Sequence, residues 1–186
     1  MDFVFDKEKL RELIVYVARK CDAESDFGAT KLNKVLFFAD FLSYRQFGRP
    51  ITGAPYRKLQ FGPAPTDMVE ILSELESEGS IARSTSNYMG YPLKKVTALR
   101  DAKTELFSGS DIALVDQVMA FVSRTTAATI SEVSHKFSVG WQIAKMGEEI
   151  PYPSVFLSPR PISETEAALV VAESQRLGFA RYLTHA

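Results

Sequence analysis

The segment Thr30–Leu42 constrains the fold more than any other part of the chain. Leu32, Val35, Leu36, Phe38, Ala39, Phe41 and Leu42 recur at helical spacing, yet they cover more than one face. A helix that is apolar over so much of its circumference has to be surrounded. This segment is therefore expected to be the central helix of a largely α core, capped by Thr30 and running to about Phe47. Gly48, Pro50, Gly53 and Pro55 then break the pattern. Residues 51–65 read as extended or irregular chain around Tyr56 and Leu59.

The flanking segments supply helices to pack around it. Asp6 is placed to cap a first helix, with Phe5 and Leu10 as a hydrophobic staple and Leu10, Leu13, Ile14 and Val17 as its buried stripe. A third helix opens at Pro65 or Thr66, turns Met68, Val69, Ile71, Leu72 and Leu75 inward, and stops at Gly79. Strand-like runs around residues 81–83 and 93–98 flank a Ser/Asn/Gly/Pro-rich tip, which reads as a hairpin. Further helices follow: residues 111–123, then one started by a Thr129/Glu132 capping box, then 139–146 ended by Gly147. A last helix runs from Ser163 to about Leu177, with Gly178 after it. The expected fold is mainly α, with six to seven helices and a small β-hairpin in a winged-helix-like arrangement. Residues 1–150 form the main domain; 151–186 form a linker and helix packed on it or on a partner.

Composition narrows the function. Hydrophobic residues make up 46% and charged residues 24%, enough apolar material for a core and too much for disorder throughout. The formal net charge of -1 provides no global field toward nucleic acid or acidic lipid. Locally the signs separate. Lys31, Lys34, Arg45, Arg49, Arg57 and Lys58 dominate residues 31–63, while Asp67, Glu70, Glu74, Glu76 and Glu78 follow without a base up to residue 80. As surface neighbours these would form a two-signed face suited to a protein partner. No run is long and apolar enough to span a bilayer, and the start MDFVFDKEKL lacks the regions of a signal peptide, so a cytoplasmic protein is expected.

Catalytic chemistry finds little to work with. Cys21 is the one cysteine, which excludes an intrachain disulfide and a cysteine-based metal cluster. His135 follows Ser134 directly, and adjacent helical residues do not face each other. A structural histidine is the simpler reading, as is a packed thiol for Cys21. Glu70, Glu74 and Glu78 recur every four residues as the wet face of a helix, and no phosphate-cradling glycine loop is present. No enzyme activity, metal or cofactor is expected. DNA binding has somewhat more to offer: residues 129–136 and 139–146 resemble a helix-turn-helix, with Arg83, Lys94 and Lys95 on a wing. The second helix, however, carries Trp141, Ile143 and Met146 beside one base, Lys145, and recognition helices carry polar groups for base edges.

The most specific signal is distributed. It consists of K-L-N-K-V-L-F-F-A-D at Lys31–Asp40, F-G-R-P-I-T-G at Phe47–Gly53, Tyr56, and G-P at Gly62–Pro63, with Ser134–His135 and Trp141 further on. In these residues the chain resembles the Panacea (SocA-like) antitoxin domain family, densely over residues 31–65 and more thinly to about Pro151. The resemblance implies a mostly helical domain that neutralises a cognate toxin by direct contact. One branch acts as a proteolytic adaptor, and some relatives are known only as phage-associated proteins. It implies neither a catalytic residue nor a cofactor. Leu32, Leu36, Phe38, Gly53, Gly62 and Pro63 are expected to define the fold. Lys31, Asn33, Lys34, Asp40, Tyr44, Arg45 and Arg57 are the candidates for partner binding or for buried polar ties. The expected partner is a toxin protein, with a protease as a second partner in the adaptor case; the alternative function is a winged-helix-type transcriptional regulator.

Overall fold

A computed structural model describes residues 3–157 together with 163–165, 168, 169 and 172. The expected C-terminal helix lies largely outside the described residues. The order of elements is α1 (Lys7–Lys20), α2 (Ala29–Phe47), β1 (Tyr56–Leu59), β2 (Gly62–Pro65), α3 (Met68–Ser77), β3 (Ile81–Tyr88), β4 (Tyr91–Ala98), α4 (Gly109–Ser123), α5 (Ala127–Phe137) and α6 (Val139–Ile143), with 3-10 turns at Thr104–Leu106 and Tyr152–Phe156. The strands form two separate antiparallel hairpins, β1–β2 and β3–β4.

Helix α2 is the hub, in contact with α1, α4, α5, β2, β4 and the Tyr152–Phe156 turn. Leu32, Val35, Leu36, Phe37, Phe38, Ala39 and Phe41 are all buried along it, which is the enclosure its sequence demands. Phe37 and Phe41 lie 4.4 Å apart and Phe41 stacks on Tyr152 at 4.6 Å, so residues 152–156 pack onto the main body. Each such side chain, fully buried, stabilises the fold by roughly 1.5–3 kcal/mol. Asp6 caps α1 by accepting from Lys9 N at 3.0 Å, and Leu10, Leu13, Ile14 and Val17 are buried as their spacing requires.

Several local expectations are corrected. The N-cap of α2 is Gly28 rather than Thr30, because the β3–β4 hairpin crosses here: a Cβ on Gly28 would stand 2.5 Å from Leu93 Cδ1 and 3.1 Å from Lys94 O. Helix α5 is capped by Thr126, whose side chain accepts from Thr129 N, so Thr129 lies inside the helix. The capping box belongs to Ser108 and Asp111, at the start of α4. Residues 56–65, read as extended or irregular chain, are extended, and they pair as a hairpin with Tyr56 opposite Pro65 and Leu59 opposite Gly62. Val69 points outward, 77% exposed, while Met68, Ile71 and Leu75 carry the burial of α3.

The mainly α class with a β-hairpin stands, but a winged-helix arrangement does not emerge. The expected second helix of the helix-turn-helix spans only the five residues Val139–Ile143. Ser138, which closes α5, also caps it, so the two helices are joined without a turn between them.

Candidate partner-binding surface

The family motif on α2 divides by the way its side chains point. Lys31, Lys34 and Asp40 face inward and are buried, so in this structure they are polar ties and offer no surface. Asp40 Oδ1 accepts from Thr52 N at 2.7 Å, and Oδ2 accepts from Thr52 Oγ1 at 2.5 Å and from Tyr56 OH at 2.9 Å. Burial pushes this carboxyl above its usual range, and the donors from Thr52 and Tyr56 oppose the shift. Through Asp40 the helix holds the loop after it and the start of β1. Tyr152 completes the centre by donating to Ala54 O at 2.7 Å.

Among the described residues, Lys34 has no carboxylate beside it. Its amine donates to Pro63 O at 3.4 Å, and burial pushes its pKa down to about 7. Gly62 is what admits it: this residue has φ +104, and a Cβ there would overlap Lys34 Nζ and stand 2.6 Å from Ser134 Oγ. Lys31 reaches back to Asp26 at 2.8 Å. These contacts explain why polar residues recur within so apolar a helix: they tie α2 to the loops on either side of it.

The Ser-His pair and the tryptophan also serve the scaffold. Ser134 Oγ donates to Ser131 O at 2.7 Å and is fully buried. His135 stacks on Trp141 with ring centroids 3.7 Å apart, and burial pushes its pKa down. Trp141 Nε1 donates to Leu59 O at 3.2 Å while Lys58 Nζ lies 4.3 Å above its ring, so α5 and α6 are stapled to β1. Cys21 is buried, its thiol pushed up to about 12 by burial.

A concavity of about 850 Å³ between α1 and α3 is charged but internally matched. Lys7 and Arg11 both pair with Glu74, at 2.7 and 2.8 Å, and Arg11 also pairs with Glu78. Arg100 grips Glu12 through two hydrogen bonds of 2.8 and 2.7 Å. Burial pushes the Glu12 carboxyl up, but Arg100 and the Lys103 amide outweigh it and hold the group below its usual range. The acids of α3 are thus taken up by α1, and Glu76 pairs with Arg83 on β3. Among the described residues, the ion-pair partners of residues 64–80 come from α1 and β3 and none comes from residues 31–63.

A second concavity differs. A groove of about 680 Å³ lies between the β1–β2 hairpin, α3 and the β3–β4 hairpin, at the N-terminal end of α2. Of the seven motif candidates it gathers Asn33 and Arg57. Tyr44 instead packs among Phe3, Tyr152 and Phe156, and Arg45 is exposed beyond it. The groove also gathers Val69, Arg83, Lys94 and Lys95, which no single stretch of sequence could have grouped. Arg83, Lys94 and Lys95 were grouped in the sequence as a basic wing, but their place beside α3 was not legible, and the outward turn of Val69 runs against its periodicity.

Residues 32–142 match the model of the family described as antitoxin SocA-like, Panacea domain. Since this is more than half of the 186 residues, the chain belongs to that family. None of the curated proteins and none of the solved structures compared with it is similar. Among the described residues no helix is long and apolar enough to cross a membrane, and no group of three or more His, Cys, Asp or Glu is placed to hold a metal ion.

Proposed function

We propose that this chain is the antitoxin of a toxin–antitoxin pair and neutralises a protein toxin in the cytoplasm by direct, steric binding, with no reaction of its own. Membership of the SocA-like Panacea family supports the reading most. The geometry agrees with it. The motif's polar residues tie a buried centre together, the Ser-His pair is engaged with backbone and tryptophan, and the open features are surfaces. A rigid scaffold loses little entropy on association, which favours tight capture.

Co-expression tests this. The product of the adjoining gene should arrest growth alone and lose that effect beside this chain, with the two recovered as a complex. A toxin that remains active in the presence of this chain would end the proposal. Toxin that disappears only when an intracellular protease is present would instead show delivery for degradation, the adaptor form of the same role. A DNA-binding regulator is the weaker alternative, because α6 is short, its exposed Ile143 has nothing to offer a base edge, and the Gln142 amide donates to the His135 carbonyl.

A further inference from the structure

The groove between the two hairpins and α3 carries three features that belong together. Val69 is 77% exposed on α3, one turn from the half-buried Leu72, so an apolar strip lies open along the groove. The residues lining it include Arg57, Arg83, Lys94 and Lys95 and no carboxylate. Arg83 and Lys95 are matched by Glu76 and Asp22, which lie outside the lining. Among the described residues, Arg57 donates to the Thr66 carbonyl alone, at 3.2 Å, and the exposed Lys94 makes no ion pair. Finally, Asn33 Oδ1 is buried at the groove and receives no hydrogen bond from the described residues. A buried acceptor of this kind is costly unless a donor reaches it.

We infer that this groove is the docking surface for the toxin and that it takes an acidic segment bearing apolar side chains, a reading that rests on the antitoxin role proposed above. The apolar residues of the segment lie along Val69 and Leu72, its carboxylates face Arg57 and Lys94, and a backbone or side-chain N–H reaches Asn33 Oδ1. A phosphate chain fits the same charges less well. Two uncompensated cations are few for tracking a nucleic-acid backbone, and the strip of Val69 and Leu72 offers it nothing. Burying an aliphatic strip inside a polar rim is the ordinary composition of a protein interface.

The test uses the full chain and the product of the adjoining gene, with binding followed by surface plasmon resonance at low and high salt. Val69→Glu and Lys94→Glu alter exposed side chains and should leave the circular dichroism and melting curve unchanged. Val69→Glu is expected to weaken binding about tenfold or more, chiefly through faster dissociation. Lys94→Glu is expected to slow association at low salt, with the effect fading at high salt. Phe121→Glu, in the separate apolar groove formed with Phe38, Val118 and Phe137, serves as the control and should bind within about twofold of the wild type. Wild-type binding in both groove variants would overturn the docking site while leaving the antitoxin role intact. Loss of binding through Phe121→Glu alone would overturn it equally. No complex with the wild-type chain would remove the antitoxin reading and this inference together. If the groove variants lose affinity for duplex DNA from the upstream region yet hold the toxin normally, the groove is a nucleic-acid site and the inference is wrong.

Discussion

Asp40 and Lys34 stand six residues apart on α2, both buried, and their surroundings are opposite in kind. Asp40 receives three hydrogen bonds from Thr52 and Tyr56. Asp40→Ala leaves those donors unpaired and is expected to cost roughly 3 kcal/mol or more, while Asp40→Asn, which keeps an acceptor, costs less; urea unfolding measures both. Lys34 has one carbonyl and no counter-charge. Its amine gives up its proton near pH 7 when folded and near 10.5 in the reference state. Between these values the unfolded chain binds the extra proton, so this group makes stability rise with pH, by at most about 1.4 kcal/mol per unit. Lys34→Met should therefore be more stable than wild type at pH 6, with an advantage that shrinks from pH 7 toward 10. A constant difference across that range would show the amine to be charged throughout. The sequence marks both residues as candidates for surface contact or buried ties, and only packing selects the second role.

Between elements, the close approaches determine which residues are tolerated. The β1–β2 hairpin lies against α2 and α5, and Gly62 is where a side chain would meet the Lys34 amine. Gly62→Ala combines that overlap with a φ of +104 and is expected to destabilise by about 2 kcal/mol or more, seen as a lower melting temperature. Helices were the most legible elements in the sequence, because α1 and α2 bury the faces that their periodicity names. Their starts were less so. Gly28 caps α2 without a side-chain hydrogen bond, since the passing hairpin leaves no room for one, and a local cap rule has no means of seeing a neighbour that is distant in sequence. Residues 56–65 were legible as extended or irregular chain, but their pairing as two strands was not, for a related reason. Two prolines and a second strand buried at all four positions, Gly62–Pro65, give no period of two, and the pairing is supported from the other side by Glu149, which bridges to Arg57.

At the level of the whole molecule, the body and the projecting β3–β4 hairpin differ in what they contribute. Residues 82–92 are exposed throughout, while Ile81 and Ala98 at the base are buried. Replacing residues 87–92 with Asn-Gly, a two-residue turn that fits the Ser86–Leu93 pair, is expected to change stability by no more than about 0.5 kcal/mol. Thermal unfolding checks this, and a large loss would mean that the tip supports the body. The core itself was largely written in the chain: a helix apolar on most sides, amphipathic helices to enclose it, and a distributed motif that names the family. These are local or additive properties, readable wherever residues lie close in sequence. Tertiary structure alone decided that the acids of α3 are used by α1, that Lys31, Lys34 and Asp40 are hidden, and that Asn33, Arg57, Val69 and Lys94 meet in one groove. Whether a charge is paired or free depends on what stands within a few ångströms of it, and that distance is set by how the elements pack.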